Sequence, residues 1–338
     1  MSARARLKRE TLVSTRSRLQ RLVNTSRFRL TDSACAQPSS RCKGIFYGCL
    51  AAICYGTNPL GALNLYSSGY TPETVLSYRF FTGVVLLGLL ICFHKSECGE
   101  GSFVYRHFAV RWRDLKFLLL LGFLFGISSL TYYESFKFMD AGLASTLLFL
   151  YPLEVAVMMG VIFKEKLTLK TAISIFVSLL GLALLYRSGE GGVSLSTMGL
   201  VLVFVSSLSY AIYIVVVNKS NMQIDSVRLT FYAMVFCLAT QLVYSITLGK
   251  GFPPIPSTPA DWFWAFMLGF VPTVLSLVFM AKAVKLVGST STAITGALEP
   301  LTAVCIGVFV FGEAMTLRLA LGIILILVAV SLLAIKKK

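Results

Sequence analysis

Apolar positions come in long blocks along this chain, not in alternation. From residue 44 onward, stretches of about 20 mostly apolar residues are set apart by short links rich in charge, proline or glycine. The link from Gly251 to Pro259, for instance, holds four prolines. As a helix, such a stretch rises about 30 Å, the thickness of a bilayer's hydrocarbon core. The pattern predicts ten spans, at roughly 44–66, 73–93, 116–137, 141–163, 170–187, 196–217, 228–248, 261–283, 290–311 and 317–335. The expected fold class is an all-α membrane protein with ten transmembrane helices.

The blocks also repeat. Leu150, Pro152, Leu153, Phe163, Glu165, Thr168 and Leu169 return 148 positions later as Leu298, Pro300, Leu301, Phe311, Glu313, Thr316 and Leu317. Leucine matches arise easily in apolar sequence, but a proline, a glutamate and a threonine in the same register do not. The chain therefore divides into a tail, residues 1–43, and two five-span repeats, residues 44–187 and 195–335, joined through Gly189 to Ser196. Five is odd, so the second copy enters the membrane upside down relative to the first. Inverted repeats of this kind carry a two-fold axis in the membrane plane and suit a cavity that opens to alternate sides.

Composition strengthens the membrane reading. The 338 residues are 56% hydrophobic and 14% charged, with mean hydropathy +0.78, where soluble domains carry about 25% charged residues. The net charge of +16 comes from 31 Lys and Arg against 15 Asp and Glu. With the ten spans in place and the N-terminus inside, 26 of those 31 bases fall in segments on one side of the membrane. That asymmetry is the positive-inside pattern, so both termini are expected in the cytoplasm of a cell membrane, with the lipid bilayer and not nucleic acid as the partner. The tail holds eleven bases. It reads as a basic amphipathic helix on anionic lipid, an organellar transit peptide, a polar cytoplasmic tail, or a start set too far upstream.

Chemistry of other kinds finds little support. The eight cysteines form no C-x-x-C pair, and the two histidines, His94 and His107, share one basic link. No metal site, disulfide framework or cofactor is expected, nor a catalytic cluster. No G-x-x-x-x-G-K-[ST] motif is present in the sequence, so ATP-driven transport by this chain is unsupported.

A charged side chain near the bilayer centre costs about 2.5–3.5 kcal/mol, so each needs a reason to be there. Glu154 stands one turn past Pro152, and Glu299 immediately precedes Pro300. Tyr151 and Glu154 are three apart, as are Glu299 and Thr302, so each pair is expected to share a helix face. The two glutamates are candidate proton carriers; the competing reading is a carboxyl held in hydrogen bonds between helices. Arg79 is a candidate for a substrate carboxylate, or for snorkelling or pairing with a carboxyl such as Glu134. Glu134 and Lys137, three apart, are also matched to pair with each other. Asn58 belongs to a polar interruption, Tyr55 to Pro59, that marks an unwound point in the first span. Pro59, Pro152 and Pro300 are expected helix breaks, with Pro272 a fourth proline at span depth. Tyr132, Tyr133, Tyr151, Tyr210, Tyr213 and Trp264 supply either a cavity wall or interface belts. Glu165 and Glu313 read as carboxylates that structure links, and Gly44/Gly48 and Gly122/Gly126 as weak signs of close helix contact.

Ten spans in two halves, the run AGLASTLLFLYP at 141–152 and ALEPLTAVCIGVFVFGE at 297–313 resemble the drug/metabolite transporter superfamily, EamA type. The run LSYRFF at 76–81 resembles that family's arginine motif in the second span. The resemblance covers about 44–335 and implies a secondary transporter, with bacterial members often exporting amino acids or other small metabolites. Glu154 stands outside the family signature. The expectation is a monomer or homodimer exporting a small molecule with proton coupling. Uptake or exchange, or a non-transporting receptor or scaffold, are the alternatives.

Overall fold

The computed structural model describes residues 38–93, 108, 110, 112–164, 169–186, 196–220, 224 and 226–334. The tail up to residue 37, the link holding His94 and His107, and Glu165 lie outside the described residues. Everything regular within them is helical: α1 (Pro38–Gly56), α2 (Asn58–Ser67), α3 (Pro72–Phe93), α4 (Trp112–Ser135), α5 (Ala141–Leu148), α6 (Tyr151–Val161), α7 (Leu169–Tyr186), α8 (Thr197–Lys219) and α9 (Ser226–Thr247). There follow α10 (Pro259–Gly269), a π-helical segment (Phe270–Leu275), α11 (Ser276–Thr295), α12 (Leu298–Phe311) and α13 (Leu317–Ala334).

Six stretches among the described residues are long and apolar enough to cross a membrane: Pro72–Cys92, Asp114–Ser135, Ala141–Val161, Thr197–Val217, Val227–Thr247 and Pro259–Val284. Shorter apolar helices run over Ala172–Gly181, Leu298–Phe311 and Ala320–Ala329. The distribution of polarity is that of a protein in lipid. Large apolar side chains such as Phe81, Phe176 and Phe309 point outward, while Arg79, Gln241, Ser128 and Ser206 are buried. In lipid the exterior has nothing to gain from polarity, and buried polar groups bind helices to one another.

The helices meet in a pattern that survives exchange of the two halves. α4 packs on α8 as α1 packs on α11, α4 on α9 as α3 on α10, and α6 on α8 as α1 on α12. The pairs α3 with α9, α5 with α12 and α7 with α13 map onto themselves. Both small-residue pairs lie at such contacts. Gly122 and Gly126 on α4 face Phe236 and Thr240 of α9. Their carbonyls accept from Cys237 Sγ at 3.2 Å and Gln241 Nε2 at 3.0 Å. Gly44 and Gly48 on α1 face Val287 and Thr295 of α11.

One expected boundary is corrected. The sequence pattern ends a span at 283 and starts the next at 290, whereas α11 continues unbroken to Thr295. In the first half the matching stretch turns after Ser135, and Asp140 stands at the start of α5. Residues 284–288 are Val, Lys, Leu, Val and Gly, with no proline and no capping side chain. The break is instead displaced to Gly296–Ala297.

Candidate functional site

Four prolines shape the middle of the bundle. Pro59 has no amide hydrogen, so the Tyr55 carbonyl one turn earlier loses its helical donor. The Asn58 side-chain amide donates to it at 2.7 Å, and the Thr57 hydroxyl donates to the Cys54 carbonyl at 2.7 Å. The first span is thereby broken at Thr57 without leaving a bare carbonyl. Pro272 frees the Leu268 carbonyl, which accepts from the Thr273 hydroxyl at 3.1 Å within the π-helical segment. Pro152 and Pro300 each occupy the second or third residue of a helix after a two-residue turn.

These breaks surround a cavity of about 240 Å³. Arg79 lines it and is only 2% exposed. Its Nε donates to Thr273 Oγ1 at 3.1 Å and its Nη1 to the Tyr133 hydroxyl at 3.3 Å. The Tyr133 hydroxyl donates in turn to Asn58 Oδ1 at 3.1 Å. The guanidinium carbon lies 5.7 Å from the centroid of the Tyr55 ring and 5.8 Å from those of Phe80 and Tyr133, within cation–π range. Arginine has five N–H donors, and these bonds and rings fix the orientation of the group. Neither ion pair among the described residues involves Arg79.

Part of the lining is aromatic. Tyr151 meets Tyr210 edge-on at 4.8 Å, and Tyr210 stacks on Tyr213 at 5.7 Å. Glu299 lines the same cavity from the first turn of α12, and Ser128 and Ser129 line it from α4. The cavity thus offers one cation, one carboxyl, hydroxyls and ring faces.

Of the residues singled out in the sequence, Arg79, Tyr132, Tyr151, Tyr210, Tyr213, Pro272 and Glu299 line the cavity, and Asn58 joins it through Tyr133. Others stand elsewhere. Glu154 accepts from the Ser207 hydroxyl at 2.7 Å and lines a separate, nearly apolar crevice with Leu150, Leu200 and Phe204. Thr302 donates to the Leu298 carbonyl at 2.7 Å and packs on Gly56. Each expected pair, Tyr151 with Glu154 and Glu299 with Thr302, is therefore split. Residues three apart are about 60° apart around a helix, enough here for one to face the cavity and the other a neighbouring seam. Glu134 does not pair with Arg79; it holds Lys137 at 2.9 Å, one turn along its own chain. Glu313 accepts from the Ala141 and Gly142 amides at 2.7 and 3.2 Å, capping α5 from the other half. Trp264 packs against Phe263, away from the cavity lining. Thr273 and Ser207 were missed, although a hydroxyl directly after a proline and a serine pair inside an apolar run were both visible signals.

A polar cavity between helical halves, set in a bundle with an apolar exterior, defines a multi-pass membrane transport protein. The profile of the EamA-like transporter family matches residues 42–187 and again 197–335, and the chain belongs to that family. An uncharacterized transporter of Archaeoglobus fulgidus is 30% identical over 200 residues, covering 59% of this chain and 69% of that protein. The uncharacterized transporter YcbK of Bacillus subtilis is 23% identical over 284 residues, covering 82% and 88%. A solved crystal structure matches with a TM-score of 0.57 at 19% identity over 86% of this chain and 95% of its own, a likeness of fold alone.

Proposed function

We propose that this transporter is a secondary active carrier of ten spans in two inverted five-helix repeats. It works by alternating access, moving a small metabolite such as an amino acid outward in exchange for protons. The observation that carries the reading is Arg79, a buried cation held by hydroxyls and ring faces, sharing one cavity with Glu299. A guanidinium of this kind takes a carboxylate in a forked pair. Glu299 supplies a partner for an amine and a place for a proton, and the tyrosines a wall for an apolar body. At about 240 Å³ the cavity suits a guest smaller than the drug-sized ligands of 300–1,000 Å³ pockets. The set of helix neighbours that survives exchange of the halves supports the repeat, and the sorting of bases supports cytoplasmic termini in a cell membrane.

The test is a counterflow screen of metabolites in liposomes holding the full chain, with and without a pH gradient. A carboxylate-bearing amine is expected to exchange, and its accumulation to follow the gradient in the wild type but not in Glu299→Gln. Exchange that ignores the gradient removes proton coupling. No flux of any metabolite would leave the receptor or scaffold alternative standing.

A further inference from the structure

The cavity lining runs from Tyr213 and Thr230, close to where α8 gives way to α9, to Arg79 on α3 and Tyr132 on α4. At the far end of α9, α3 starts at Pro72 and α10 at Pro259, and the α9–α10 link, residues 248–258, lies across these starts. The side chains of Tyr70, Glu73 and Tyr78 fasten it there. Lys250 Nζ donates to Glu73 Oε1 at 2.6 Å. The Tyr70 hydroxyl accepts the Ser257 amide at 2.9 Å and lies 3.3 Å from Asp261 Oδ2. The Tyr78 hydroxyl donates to the Pro254 carbonyl.

The link has the mechanics of a hinged plate. Gly249 and Gly251 hold φ of +71° and +72°, a region that side chains disfavour. Pro253, Pro254, Pro256 and Pro259 stiffen the remainder of the link up to α10. The Thr258–Asp261 capping box then anchors the far edge on α10. Glu73 is fully buried, and its Oε2 has no hydrogen-bond partner among the described residues. A buried carboxylate paired with one lysine is a fastening that holds while the lysine is present and becomes unfavourable to keep closed once the lysine leaves. Near this end, Leu65, Leu76, Phe80 and Leu268 are fully buried in one apolar cluster.

We propose that the α9–α10 link is a latch. Lys250–Glu73, Tyr70 with Ser257 and Asp261, and Tyr78–Pro254 hold it down over this end, and their parting lets the cavity face this side. The purpose of the latch rests on the carrier reading, but its test needs no substrate. The full chain carrying Ser129→Cys in the cavity wall is placed in vesicles of known sidedness. Membrane-impermeant maleimide is added on one side at a time, and labelling of residue 129 is read by peptide mass spectrometry. Labelling is expected from the end away from the link only. Adding Lys250→Met should speed link-side labelling at least about fivefold, with the other side unchanged or slower. Tyr78→Phe, which keeps the ring and loses one hydrogen bond, should do the same more weakly and carries the test if Lys250→Met misfolds. Link-side labelling that is unchanged in both variants, or that rises equally from both sides, overturns the latch. A failed counterflow screen leaves this result intact, and a failed latch leaves the carrier reading to the screen.

Discussion

Arg79 is fully buried, where a charge is costly, and in the proposed carrier it would also meet the guest. Two hydroxyls from separate helical segments and three aromatic rings share the stabilisation, so no carboxylate is needed to neutralise it permanently. Arg79→Gln keeps some donors and loses the charge. It should raise half-saturation for the metabolite returned by the counterflow screen by about 10–100-fold, in line with the 1.5–3 kcal/mol of a charged hydrogen bond. Arg79→Lys should rescue only part, because an ammonium cannot make the fork. Lys250 behaves differently, since it is largely exposed. Its hydrogen bond to Glu73 holds the ammonium above its ordinary value of 10.5. A raised lysine pKa contributes stability below the ordinary value, which is lost as pH rises through the folded one. Exchange of the link's amides should therefore not change through Lys250 at neutral pH and should quicken only in the alkaline range above 10.5. Rate-corrected hydrogen exchange checks this.

At the scale of the element, the prolines explain why helices built from good apolar formers stop in mid-membrane. Asn58 and Thr273 each satisfy a carbonyl that the neighbouring proline frees. Thr273 also accepts from Arg79, so one hydroxyl ties the π-helical segment to the cavity's cation. Thr273→Val should lower flux and destabilise the protein by about 1–3 kcal/mol, because a buried acceptor and a buried donor both lose a partner. Thr273→Ser should restore most of it. Gly122→Ala places a β-carbon against Phe236 at the α4–α9 contact. It should destabilise by about 1–3 kcal/mol, the range of overpacked cores, in an unfolding titration in mild detergent. The polar interruption and the proline positions were legible because they break a 3.6-residue apolar pattern. The run of α11 through residues 284–288 was not legible, since apolar composition there fits either a link or a continued helix.

For the whole molecule, the exchange-symmetric contacts make the two halves partners and not successive domains. Glu313 shows this directly, since a residue of the second half caps a helix of the first. Removing that carboxylate by Glu313→Ala should cost about 0.5–2 kcal/mol, the value of a helix cap, and should loosen α5 in hydrogen exchange more than α9. Single cysteines at Arg41 and Ala334 should be labelled from the same side if five spans stand in each half; labelling from opposite sides rejects the ten-span count.

By itself the sequence determined the helical class, the membrane setting, the family, the repeat register and the residues able to break helices. The family came from a resemblance of motifs; the rest follow from local composition and spacing, since lipid permits few alternatives to a helix. Only the tertiary structure decided which polar groups meet. Arg79 found Thr273 and Tyr133 instead of Glu134, Glu154 was separated from Glu299, and the α9–α10 link was fastened to α3. Such contacts join residues up to 194 positions apart. They depend on how helices rotate and cross, and rotations of a few tens of degrees leave the apolar pattern along the chain unchanged.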